Sequence, residues 1–412
     1  MESLLVAGMT ICLPFESENY YGDCMKDRAV FRQFINKTYG EHPELFPQQM
    51  GEGFTLQGFS KSKKQEGFQM RRIKLAQGDI YQVRPSFMMP YLVGKTDEME
   101  KALFLRKWNV PFEALAYVFG RNSMYWYRAD LSLGRNSIVG TTVKDPERMP
   151  KDLVADEKHT RFQGKKAYIA TTVAKECILG VGLAEDASTD AFTKAYGHFK
   201  EETLDLNPDY KVETVNTDGF ESTRAAWKNL FPGVTLILCF LHAFLKICDR
   251  CRRYKELLCA VKDKVWGVYH AKTLPQFSQR IRRLREWATT LADSPVKEKL
   301  IDLCNKAPEF KKTFEYPDAY RTSNALDRLM NYQDRMLYCM QYFHGTWANA
   351  LLYLRSMALI WNFHPYGKRA RHEGLGASPF EELNGFQYHS NWLHNLLIAA
   401  SLGGWRPKHK IR

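Results

Sequence analysis

Val215-Asn216-Thr217-Asp218-Gly219-Phe220 is the stretch on which the reading of this chain turns. Before it lies Lys211-Val212-Glu213-Thr214-Val215, an alternating, β-branched run that predicts a strand. After it, Trp227 and Leu230 open an amphipathic helical pattern over residues 221–230. Asp218 therefore stands at a strand end, beside a glycine that lets backbone or ligand come close. Such a position presents a carboxylate to a metal ion, but it equally suits a residue that only caps the next helix. Other carboxylates in matching contexts decide between the two.

The surroundings alternate strand and helix. Residues 152–156 predict a short strand ending at Asp156, and residues 166–174 and 177–184 an antiparallel pair around Lys175-Glu176. Residues 189–204 predict a helix with Phe192, Ala195, Tyr196 and Phe199 on one side, and residues 234–240 a buried strand. Three strands in a meander, a helix, a strand, a helix and a further strand is the element order of an RNase H-like mixed-sheet core. Residues 242–320 turn helical and basic, which predicts an all-α insertion. Helices over 324–342 and 346–361 then close the core. The expected fold class is thus α/β, with the core divided into 150–241 and 321–365 around the insertion at 242–320.

Upstream, residues 1–90 form short runs punctuated by Gly and Pro, which predicts a small, basic, partly β module. Residues 95–145 predict a helical unit. Thr96-Asp97-Glu98 is a candidate N-cap, Pro111 opens a second helix that Gly120 ends, and residues 124–131 carry Arg128 on a third. This order fits a helix-turn-helix DNA-binding domain and equally an ordinary three-helix bundle. Residues 134–143 read as a link to the core, and residues 366–412 as a basic tail holding one packing helix.

Composition bounds the class. Of 412 residues, 59 are Lys or Arg and 46 Asp or Glu, a net charge of +13 that favours an anionic partner, nucleic acid above all. The positive charge is clustered, at 61–74, 246–255, 280–285, 368–371 and 406–412. One such cluster is as easily a solvated helix face, whereas several without matching acidic runs point to a phosphate-binding surface. Candidate DNA contacts are Arg121, Arg128, Arg250, Arg252, Arg253, Arg280, Arg283 and Arg328, with Arg335 two turns beyond Asp327. No uninterrupted apolar run is long enough for a membrane helix, and the first fifteen residues lack the basic start of a secretion signal. Nine scattered cysteines suit a reducing compartment. A cytoplasmic, nucleoid-associated protein is expected.

Asp156 and Asp218 end strands that lie side by side in such a sheet, so both carboxylates project from one edge. Hard oxygen ligands suit Mg²⁺ or Mn²⁺, and two such ions roughly 4 Å apart can serve the attacking and leaving oxygens of a phosphoryl transfer. Asp327, in Arg321-Thr322-Ser323-Asn324-Ala325-Leu326-Asp327-Arg328, is the candidate third ligand. Asn324 with Asp327 also resembles a capping box. Asp334 and Glu157 are rivals, although Glu157 points away from Asp156 along a strand.

Together, Asp156-Glu157 after a strand, Thr217-Asp218-Gly219, Cys239-Phe240-Leu241-His242 and Thr322-Ser323-Asn324 before an acidic residue resemble DDE/DDD transposases of bacterial insertion sequences. The resemblance covers about residues 150–365. It is closest to the group related to Mutator-like elements, which carries a Cys-x-x-His between the second and third acidic residues. It implies Asp156, Asp218 and Asp327 as ligands of two Mg²⁺ (or Mn²⁺) ions, and His242 beside the scissile phosphate. It further implies hydrolysis at the transposon end, then attack of the freed 3′-hydroxyl on target DNA, by a dimer or larger assembly that holds two terminal inverted repeats. Many relatives carry Glu at the third position, so Asp327 departs from the commoner pattern. An RNase H-like nuclease or resolvase, or a non-catalytic domesticated DNA-binding protein, are the alternatives.

Cys239, His242, Cys248 and Cys251 spell a zinc-like spacing, C-x2-H-x5-C-x2-C. If one helix carries them, however, Cys239 and Cys251 lie about 18 Å apart, too far to share an ion. Trp347, Leu351, Leu354 and residues 357–360 read as core. Residues 391–402 read as a packing helix whose Trp392, like Trp405, could instead sit against DNA.

Overall fold

A computed structural model of the chain describes residues 10–61, 67–252, 255–367 and 376–405. The protein is a mixed α/β structure, 55% helix and 17% strand. Its strands β1 (Thr10–Leu13), β2 (Phe54–Lys61), β3 (Gln69–Leu75) and β4 (Ile80–Pro85) form a four-stranded sheet in the order β1-β4-β3-β2. Strands β3 and β4 alternate buried and part-exposed residues, the signature of a sheet with one covered face. The helix Arg28–Glu41 contributes Phe31, over which the buried Arg71 guanidinium stacks at 5.1 Å. This apolar face runs without a break into the core beneath the helices Thr96–Arg106 and Trp347–Phe363.

The second sheet holds β5 (Asp152–Phe162), β6 (Lys165–Ala174), β7 (Cys177–Ala184), β8 (Thr214–Thr217) and β9 (Thr235–Leu238), in the order β7-β6-β5-β8-β9. The pairs β5–β6 and β6–β7 are antiparallel, whereas β8 runs parallel to both β5 and β9. Lys175 and Glu176 both take left-handed φ, 48° and 61°, which gives the tight reversal expected between β6 and β7. Both faces of this sheet are covered, so β6 and β7 are almost uninterrupted buried runs.

On one face the helices Thr189–Leu206 and Glu221–Leu230 bury Phe192, Tyr196, Phe199 and Trp227 against Leu153, Ala155 and Val215. On the other, Val154, Ile169, Val173 and Ile178 meet Leu326, Leu329 and Tyr332 of the helix Asn324–Cys339 and Leu354 and Met357 of Trp347–Phe363. Gly182 permits the first layer to close. A Cβ there would lie 2.2 Å from the Ala195 carbonyl oxygen.

Between β9 and Asn324 lie the helices Phe240–Cys251, Lys255–Tyr269, Leu274–Thr290, Pro295–Asn305 and Ala307–Lys311. They enclose a core of their own around Phe244, Val265, Phe277, Leu284 and Leu300. The stretch read from composition as helical and basic is thus built of helices. The helix Phe240–Cys251 is continuous, so Cys239 and Cys251 lie at its opposite ends.

Several local expectations change. Asp156 does not end its strand, because β5 continues to Phe162, held by β6 in the register Asp156↔Thr171. Thr96 is the first residue of its helix rather than the cap, and its hydroxyl donates to the Ser86 carbonyl at 2.6 Å. Residues 134–143, read as a link, are buried except for Arg135 and include the helix Ile138–Thr142. The third helix of the expected reader, Ser123–Leu133, buries Trp126, Ala129, Asp130 and Leu133 against the helix Trp347–Phe363 and leaves Arg128 exposed. Trp392 is 6% exposed and its Nε1 donates to Glu100 at 2.6 Å, so it packs inside rather than facing a partner. No described helix is long and apolar enough to cross a membrane.

Candidate active site

Strand register brings the first two carboxylates level. β5 pairs with β8 through Asp152↔Thr214, Leu153↔Val215 and Val154↔Asn216. Asp156, within β5, and Asp218, just past the end of the neighbouring parallel strand β8, each lie two residues beyond the last of these pairs. Asp218 is half-buried, and one of its oxygens accepts the Phe220 N–H at 2.7 Å. Phe220, not Asp218, is the N-cap of the following helix. Gly219 makes the turn possible: its φ is +91°, and a Cβ there would meet Leu238 Cδ1 at 2.6 Å.

Asp327 enters from the helix Asn324–Cys339, whose N-cap is Ser323 and which has no side-chain cap bond. The Asn324–Asp327 capping box therefore does not form, and the half-buried Asp327 carboxylate is not used as a cap. Glu157 points to the opposite face, where it accepts from the Tyr196 hydroxyl. Burial, against hydrogen bonds from Tyr196 and Thr223, pushes Glu157 up to about 7. Asp334 pairs with Lys158. Both rivals thus have other partners.

His242 stands beside the first carboxylate, with Nε2 3.9 Å from Asp156 Oδ2. Its other nitrogen faces the Ser323 hydroxyl at 3.5 Å. The Ser323 N–H donates to Cys239 Sγ at 3.3 Å, and the Cys239 N–H donates to the Thr217 carbonyl at 2.7 Å. Cys239 therefore ties the end of β8 to the helix start that carries Asp327. This bridge was not read from the sequence, although both motifs were visible there. Cys-x-x-His and Thr-Ser-Asn are one contact in space.

The charges are mutually felt. Asp156, 12% exposed, is pushed up to about 6: burial raises it, His242 pulls it down, and Asp218 and Asp327 raise it further. His242 is raised to about 9 by its hydrogen bond to Cys239, against burial, and by the Asp156 and Asp218 charges. Burial also raises Asp327, with His242 opposing. Three carboxylates and one imidazole thus share one electrostatic site at the sheet edge.

Among the described residues, no three His, Cys, Asp or Glu side chains are gathered closely enough to form a metal cage. The donor set nonetheless fits a hard divalent cation. Mg²⁺ takes one or two carboxylates, keeps several waters and completes its shell with substrate phosphate rather than an all-protein cage. A largely buried carboxylate held above its usual range by burial and like charges is also a position that a cation relieves.

The candidate DNA contacts are dispersed. Arg121, Arg128, Arg250, Arg252 and Arg283 are exposed, and Arg121 lies 5.3 Å from the Tyr125 ring. Arg280 donates to the Gly267 carbonyl, and Arg328 pairs with Glu176 at 3.1 Å, so each already has a partner. Arg253 and the basic clusters at 368–371 and 406–412 lie outside the described residues. Comparison of the chain with protein-family models and with curated proteins finds no match.

Proposed function

We propose that the protein is a divalent-metal-dependent DNA transposase that cleaves transposon ends and joins the 3′-hydroxyl to target DNA. The observation that carries this reading is the level placement of Asp156 in β5 and Asp218 at the end of the adjacent parallel strand β8, with Asp327 and His242 within electrostatic reach. The sheet order, three antiparallel strands continued by two parallel ones, supports an RNase H-like core. The net charge of +13 supports a polyanionic substrate.

Asp156, Asp218 and Asp327 would hold the two cations, which when bound supply charge neutralisation at the scissile phosphate and activation of the attacking oxygen. The chain's own residues do the rest. His242, raised to about 9, is an imidazolium at neutral pH and offers an Nε2–H to a phosphate oxygen. Ser323 and Cys239 fix its ring from the other side. Asp218 keeps one oxygen on the Phe220 N–H, which orients the other.

One observation favours a second reading, a non-catalytic DNA-binding protein derived from such an enzyme. His242 already supplies Asp156 with a positive neighbour. A supercoiled plasmid carrying the DNA that flanks the reading frame separates the two. The transposase reading expects Mg²⁺-dependent nicking or excision, lost by orders of magnitude in Asp218→Asn while DNA binding persists. Binding without cleavage at any Mg²⁺ or Mn²⁺ concentration favours the second reading, and wild-type cleavage by Asp218→Asn refutes the site.

A further inference from the structure

The helix that carries Asp327 continues past the carboxylates and ends in an exposed aromatic. Tyr338 is eleven residues beyond Asp327, close to three full turns, and so lies on the same helix face about 16 Å further along. Asp334, on that face between them, pairs with Lys158, two residues after Asp156 on β5. Further on, the Phe343 N–H donates to the Arg161 carbonyl at 3.1 Å. The helix therefore follows β5 away from the carboxylates, and Tyr338 marks the far end of that track.

Tyr338 is 80% exposed, and its hydroxyl makes no hydrogen bond among the described residues. With Arg335, Asn109, Cys339, Gln341 and Tyr342 it lines an open cavity of about 640 Å³. Arg335 is exposed and has no acidic partner within ion-pair distance among the described residues. Trp108, next to Asn109, is 55% exposed. A solvent-facing tyrosine beside an unpaired guanidinium is well suited to a flat, anionic, π-faced group. Nucleobases within a duplex hide their faces in the stack, so such a wall selects an unpaired base.

We propose that Tyr338 and Arg335 form a stacking site for an unpaired nucleobase on the DNA strand leading away from the carboxylates. The proposal rests on the DNA phosphoryl-transfer reading above and adds to it a defined single-strand contact. At about 3.4 Å of rise per base, the distance of about 16 Å places the stacked base roughly five steps from the scissile phosphate. Tyr338 would supply the stacking face and Arg335 the phosphate contact.

The test uses the full chain in EDTA, so that nothing is cut, with fluorescence anisotropy on a labelled blunt duplex and on the same duplex bearing an eight-nucleotide single-stranded extension (roughly the reach of the track plus its far end). Tighter binding of the extended DNA by wild type is expected. Tyr338→Ala should weaken that binding by roughly 5- to 100-fold and leave blunt-duplex binding within about twofold. Tyr338→Trp, which keeps a stacking face, should restore it, and Arg335→Gln should weaken it while lowering the salt slope by about one. Equal binding of extended DNA by wild type and Tyr338→Ala overturns the stacking site, as does an equal loss on both DNAs. If wild type binds neither DNA, the DNA reading itself falls and takes this inference with it. If Tyr338→Ala behaves as expected but the plasmid is never cut, only the catalytic reading falls.

Discussion

Replacing Asp156 by Asn should make the metal-free protein more stable while removing its proposed chemistry. Asp156 is 12% exposed and raised to about 6 from an ordinary value of 3.8. A folded-state value above the unfolded one means that the native protein binds the extra proton between about pH 4 and 6. The associated stability is present below pH 4 and lost as the pH rises through about 6. At pH 7 the ionised group then costs about 3 kcal/mol, from about 1.4 kcal/mol for each tenfold change in proton affinity. That figure is a ceiling, because the substitution would also leave His242 without one of its carboxylate neighbours. With an unfolding entropy of about 2 cal/mol/K per residue, the ceiling corresponds to a rise in Tm of about 4 °C over 412 residues.

The assay is thermal unfolding by calorimetry or circular dichroism in EDTA, at pH 4 and pH 7, for wild type and variant. The variant should melt higher at pH 7, and the gap should close at pH 4. Addition of Mg²⁺ should raise wild type by about 1.4 kcal/mol at ten times its Kd and raise the variant less. A variant that melts at or below wild type at pH 7 would refute the claim that burial and like charge strain this carboxylate. A Mg²⁺ response equal in both proteins would remove Asp156 from the ligand set.

Further outcomes follow from single contacts. Asp327→Asn should lower metal-dependent cleavage of the plasmid by at least about a hundredfold while shifting Tm by less than about 1 °C, since it caps nothing and is half-buried. Trp227, fully buried against Tyr196 and Phe231 at ring distances of 5.1 and 5.7 Å, should cost about 3–5 kcal/mol when replaced by Ala, read from denaturant unfolding. Asp130 is fully buried and joined to Arg106 at 3.2 Å and to the Ser356 hydroxyl. Asp130→Ala strands the Arg106 guanidinium inside the core and should cost about 3–5 kcal/mol, whereas a loss below about 1 kcal/mol would show that the pair is dispensable.

Much of the architecture was legible in the chain because it is written in local periodicity. The alternating and fully apolar runs at 166–184 mark β6 and β7, and the 3.6-residue patterns mark the helices Thr189–Leu206, Glu221–Leu230 and Trp347–Phe363. The basic helical block after His242 was visible for the same reason. Local pattern failed where long-range pairing extends or caps an element. Residues 157–161 are polar and lie beyond the strand expected at 152–156, yet β6 holds them in β5 through backbone bonds that no side-chain pattern announces. Residues 134–143 read as a link because their small and polar residues lack a period, and they are buried because the helix Ile138–Thr142 packs against β7 and the helices Thr189–Leu206 and Trp347–Phe363.

The candidate site divides in the same way. By itself the sequence determined which side chains have the right chemistry, Asp156, Asp218, Asp327 and His242, and the types of element that bear three of them. Only the tertiary structure decided that β5 and β8 are neighbours in a register that brings two carboxylates level. It alone decided that Ser323, not Asn324, opens the third helix, which leaves Asp327 without a capping role, and that Cys239 links that helix to the end of β8. Residue identity follows from the chain alone, whereas distance, burial and the resulting proton affinity arise from partners far away in sequence, and those partners exist only once the sheet has formed.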